Sequence, residues 1–145
     1  MTSPYADEAA VAHVGEGFAN RTLPKPEWTH AAHFAAAIWL IRRRPQIDLP
    51  TAMPGMIRAY NEACGVANDD HGGYHETITQ ASIRACRAFL AGRTAGEPLD
   101  ATLTALMGSP LGDKDWPLTY WNRETLFSVE ARRRWVDPDL APLPF

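Results

Sequence analysis

The chain has 145 residues, of which 46% are apolar and 21% charged, and a formal net charge of −3. That length and balance fit one soluble globular domain with a core large enough to stand without staples. They give no broad basic face for nucleic acid, and the longest apolar stretch, residues 34–41, is too short to cross a bilayer.

Proline and glycine cut the chain into helical pieces. Residues 8–18 form an amphipathic helix, ended by Gly15, Gly17 and the turn around Asn20. Residues 22–26 are an extended connector, with Pro26 placed for the first turn of the next helix. Residues 27–44 are that helix, with Glu27 at its start and three arginines at its end, stopped by Pro45. Residues 51–63 are a third helix, with Pro54 in its first turn, followed by a polar loop over residues 65–73. Residues 74–90 are a fourth helix closed by Gly92, residues 99–107 a fifth, and residues 122–135 a sixth. Residues 138–145 are a Pro-rich extended tail. No segment shows sustained period-2 alternation, so the expected fold is a single all-α helical bundle of five to six helices over residues 1–145.

Cys64 and Cys86 lack Cys-x-x-Cys spacing and read as buried free thiols of a reducing compartment. Residues 1–15 show no basic region followed by an apolar run, so no secretory signal is expected and the chain reads as cytoplasmic. The arginine runs at 42–44 and 132–134 fall at helix C-termini, where the macrodipole favours cations.

Short loops join the second, third and fourth helices, so neighbours should run antiparallel. The starts of the second and fourth helices then lie at one end of the bundle, together with the start of the sixth. Two strings meet there: Glu27-Trp28-Thr29-His30-Ala31-Ala32-His33 and Tyr74-His75-Glu76-Thr77. Imidazoles and carboxylates are the usual ligands of zinc and its neighbours and the usual proton carriers. His30 and His33 are three apart and share a helix face. His75-Glu76 has part of the His-Glu-x-x-His string, but Thr79 stands where the second histidine must be, so a zincin is excluded. His13 and His71 read as structural and solvated. Arg123 would suit a bidentate grip on a carboxylate or phosphate, and Tyr74 and Tyr120 would donate hydrogen bonds.

In these strings the chain resembles a group of small uncharacterised bacterial helical proteins. The resemblance is carried by Glu-Trp-Thr-His-x-x-His at 27–33, Gly-Tyr-His-Glu-Thr at 73–77 and Arg-Glu-x-Leu-Phe-Ser at 123–128. It adds weight to the site and implies no reaction.

The expectation is a small soluble enzyme holding one divalent metal, zinc or another first-row ion, on His30, His33 and His75. Glu76 or Glu27 would be the fourth ligand or general base, and Tyr74, Tyr120 and Arg123 would orient a small polar substrate for hydrolytic, lyase or isomerase chemistry. One alternative is a metal-free acid–base isomerase, lyase or cyclase. The other is a helical ligand- or partner-binding protein without turnover, with the tail docked on a second subunit of a homo-oligomer.

Overall fold

The computed structural model describes residues 5–145, so the first four residues of the stretch read for a leader lie outside it. The described residues form seven α-helices and no strand: α1 (Glu8–Ala19), α2 (His30–Arg43), α3 (Leu49–Ala63), α4 (Glu76–Ala91), α5 (Leu99–Met107), α6 (Arg123–Leu126) and α7 (Val129–Arg133). Short 3-10 turns stand at Lys25–Glu27, Pro110–Gly112 and Trp116–Thr119. None of these helices is long and apolar enough to cross a membrane.

The centre is α2, buried from Phe34 through Leu40 and packed against α1, α4 and α5. Its small side chains Ala35, Ala36 and Ala37 let the neighbours approach closely. Each large one it buries, such as Ile38 or Leu40, contributes roughly 1.5–3 kcal/mol. Gly15 and Gly17 do not end α1; both are buried inside it. A Cβ on Gly15 would fall 2.5 Å from the Trp39 ring, so the indole occupies the space that glycine leaves.

Helix α2 begins at His30, three residues later than residue 27. Thr29 is its N-cap, with Oγ1 accepting the Ala32 N–H at 3.2 Å, and Glu27 falls in the preceding 3-10 turn. Trp28 leaves the helical path and inserts between Phe18 (ring centroids 4.7 Å apart, parallel) and His33 (4.0 Å).

Helix α3 starts at Leu49, so Pro54 lies past the first turn. Pro54 has no N–H for the Pro50 carbonyl, and Gln80 Nε2 on α4 donates to that oxygen instead at 2.9 Å. The contact joins α3 to α4.

The expected sixth helix is two short ones. Ser128 interrupts it: Oγ accepts the Ala131 N–H at 3.1 Å and donates to the Thr125 carbonyl at 2.7 Å, ending α6 and capping α7. Residues 134–145 carry no helix. In that segment Leu140 N–H donates to the Tyr120 carbonyl at 2.9 Å, and Phe145 packs its ring on Trp116 and Tyr120. Both arginine runs tie elements together. Arg42 donates to the Leu90 carbonyl, Arg132 to the carbonyls of Gly73 and Tyr74, and Arg133 makes a two-point pair with Asp70.

Candidate functional site

A cavity of about 330 Å³ opens where the first turns of α2 and α4 meet the ends of other elements. Helix α2 supplies His30, His33, Phe34 and Ala37, and Trp28 lies just before it. Met53 and Ile57 of α3 and Ile78, Thr79, Ser82 and Ile83 of α4 form further wall. Lys114, Asp115, Trp116 and Leu118 cover one side, and Leu126 and Phe127 at the end of α6 close another. The size is at the lower end of small-molecule pockets, and the walls are mostly apolar with a few polar groups, as such pockets usually are.

The two histidines are set by backbone carbonyls, one within the same helix turn and one from a distant part of the chain. A carbonyl oxygen only accepts, so each ring nitrogen facing one must carry the proton. His33 Nδ1 lies 2.6 Å from the Thr29 carbonyl oxygen, and His30 Nε2 lies 2.8 Å from the Leu111 carbonyl oxygen. The neutral rings therefore hold their remaining nitrogens, His33 Nε2 and His30 Nδ1, as lone-pair acceptors. His33 keeps an accessible face and lines the cavity, with Trp28 against its ring. Burial among these side chains pushes the His33 pKa below the usual histidine value. The Thr29 carbonyl opposes that shift, and His30 adds a smaller push in the same direction.

His75 does not join them. It is the N-cap of α4, with Nδ1 accepting the Ile78 N–H at 3.1 Å and Nε2–H donating to the Leu126 carbonyl at 2.8 Å. Both ring nitrogens are thus engaged by backbone, and only 8% of the residue is exposed. Burial lowers its pKa too, the Leu126 carbonyl opposing and Arg132 assisting. The His75 ring lies edge-on to Phe127, 6.5 Å between centroids, so it holds a cavity wall from behind.

The other expected site residues also stand off the lining. Glu27 pairs with His13 at 3.1 Å on the exposed side. Glu76 accepts a hydrogen bond from the Tyr74 hydroxyl and a weaker one from Gln80. Tyr74 is buried, and burial and the Glu76 carboxylate hold its hydroxyl protonated well above the usual tyrosine range. That hydroxyl also meets Thr79, which does line the cavity, so Tyr74 and Glu76 sit one residue behind its wall. Tyr120 packs on Trp116 and Phe145, and Arg123 lies over the outer ring of Phe127 at 5.5 Å.

Among the described residues no three His, Cys, Asp or Glu side chains converge into a group able to hold a metal. The expected His30, His33, His75 ligand set does not fit a zinc centre, because capping α4 and bonding Leu126 use both nitrogens of the third imidazole. Cys86 is no substitute, since burial pushes its thiol up to about 12.

The covering residues Lys114, Asp115 and Trp116 fall outside every helix expected from the sequence. Their signal is turn chemistry: Gly112 and Asp113, then Pro117 in the first turn of a 3-10 segment that turns Trp116 inward.

Fold and site together define an all-α protein with an apolar cavity and two acceptor imidazoles at the start of its central helix. No family model, no curated protein and no solved structure matches the chain.

Proposed function

We propose that the protein is a small-molecule enzyme of the acid–base class, an isomerase, lyase or cyclase, in which His33 takes and returns a proton. The observation that carries this reading is the His33 ring. Its Nδ1–H is fixed on the Thr29 carbonyl, Nε2 is left as an acceptor, and the residue lines an apolar cavity while keeping an accessible face. This is the arrangement a general base needs: one nitrogen oriented by backbone, the other presented to substrate.

A substrate proton would pass to Nε2, giving an imidazolium held by the Thr29 carbonyl. The burial that lowers the His33 pKa disfavours that cation, so the proton is returned, to the same or a neighbouring substrate atom. Ser82 and Thr79, which line the cavity from the facing helix, are the side chains there that could receive negative charge left on the substrate. Tyr74 and Glu76 position Thr79 from behind. No step is assigned to a metal, since the donor set does not fit one.

The test is solvent-exchange NMR in deuterated buffer across a panel of carbon acids with ring-sized apolar bodies. Deuterium should enter a substrate position in the presence of wild-type protein and not of His33→Phe. A protein that binds panel members but exchanges none of their protons would be a binder without turnover, and the acid–base reading would fail.

A further inference from the structure

From the geometry we infer the ligand class of this cavity: a neutral, ring-sized apolar molecule carrying one hydrogen-bond donor, such as a phenol or a comparable aromatic alcohol, seated with its donor on His33 Nε2. The assignment rests on the cavity and on the proton-accepting role given to His33 above. Three observations lead to it.

The walls are aromatic and aliphatic, with Trp28, Phe34, Trp116 and Phe127 around about 330 Å³. That space suits one or two fused rings rather than a chain of polar groups.

Both imidazoles use their N–H on backbone carbonyls, so the histidine wall offers acceptors. A ligand that brings only acceptors would set lone pair against lone pair at the histidine wall, whereas a donor completes the set.

The charged lining residues are Lys114 and Asp115, adjacent in sequence, opposite in sign and exposed. The lining charge therefore cancels, and neither a carboxylate nor an ammonium finds a net counter-charge. The other titratable group on the lining is His30, on the same helix as His33; Tyr60 and Glu27 lie beyond Trp28, and α4 contributes only Ile78, Thr79, Ser82 and Ile83. Protonating His33 turns its Nε2 into a donor, which reverses the preference.

Three probes on one ring system separate the cases: 2-naphthol, which carries a donor; 2-methoxynaphthalene, which does not; and 2-naphthoate, an anion. Each is titrated into the full chain by two-dimensional NMR, in wild type and in His33→Phe, from pH 7.5 downward. At pH 7.5 2-naphthol should shift the cavity resonances and bind about tenfold more tightly than the methyl ether, the worth of one well-placed hydrogen bond. That margin should vanish as His33 titrates and in His33→Phe, which should still bind the methyl ether and so report an intact cavity. Equal affinity for the two neutral probes, or 2-naphthoate binding tightest with affinity rising as pH falls, would overturn the assigned class while leaving a ligand cavity in place. Failure of all three to shift any cavity resonance would overturn the cavity reading itself, and the proposed function with it.

Discussion

His75 fastens α4 to α6: its Nε2–H donates to the Leu126 carbonyl oxygen at 2.8 Å while Nδ1 caps the Ile78 N–H at 3.1 Å. One side chain thus satisfies an orphan donor at a helix start and a carbonyl fifty-one residues away. Leu126 and its neighbour Phe127 form cavity wall, so this contact shapes the site without lining it.

Replacing His75 by alanine removes both bonds. The expected cost is about 2–3 kcal/mol, combining a lost cap with a carbonyl left without its donor. His75→Asn, which restores a capping oxygen but does not reach Leu126, should recover about 1 kcal/mol of it. Urea denaturation of the two variants measures both values; an equal loss in each would mean that the cap contributes nothing.

The same contacts fix a pH dependence. His75 and His33 both have folded-state pKa values below the usual 6.5, because burial disfavours their charged forms. Their contribution to stability is therefore complete above pH 6.5. As pH falls below that value the unfolded chain takes up protons first, and stability declines until the folded-state values are passed. Thermal melts from pH 8 to 5 should show this fall, and His75→Asn should lessen it. Carboxylates held low by partners, such as Asp70 beside Arg133, act in a more acidic window. A melting temperature that is flat or rises below pH 6.5 would mean that the two histidines are not held neutral by the fold.

Gln80 stands in for a missing amide. Its side chain bonds the Pro50 carbonyl that Pro54 cannot reach, so Gln80→Leu should destabilise the fold by about 1 kcal/mol. In a Pro54→Ala background the helix supplies its own N–H to Pro50, and the same change should cost clearly less. A double-mutant cycle in urea reads the difference.

Gly15→Ala puts a methyl group 2.5 Å from the Trp39 ring, between the two most extensively packed helices. Overpacking of this kind costs about 1–3 kcal/mol. Gly55, with open space around its Cβ position, is the control: Gly55→Ala should stabilise α3, alanine being the better helix former.

What the sequence makes legible follows from which signals are local. The apolar run of α2, its arginine end and Pro45 are strong cues, and the structure places α2 at the centre with His30 and His33 in its first turns. Less legible was where each helix begins. Thr29 and His75 are both N-caps, and a ring nitrogen acting as a cap has no marked sequence signature, so His75 reads as one more inward-facing ligand. Gly15 and Gly17 read as breakers because the Trp39 ring that needs their space lies on another helix. The cavity cover at residues 114–118 has no apolar period; its local cue is the turn chemistry around Asp113 and Pro117, which by itself does not say that Trp116 is buried.

The proposed chemistry needs His33 to be a neutral acceptor, protonated on Nδ1 by its bond to Thr29. Nitrogen-15 NMR of the histidine side chains as a function of pH tests it directly, with His33→Phe assigning the signal. His33 should appear as the Nδ1–H tautomer with a pKa below 6.5, moving back toward that value when the cavity is opened by Trp116→Ala. A His33 ring found as the Nε2–H tautomer, or titrating at or above 6.5, would contradict it.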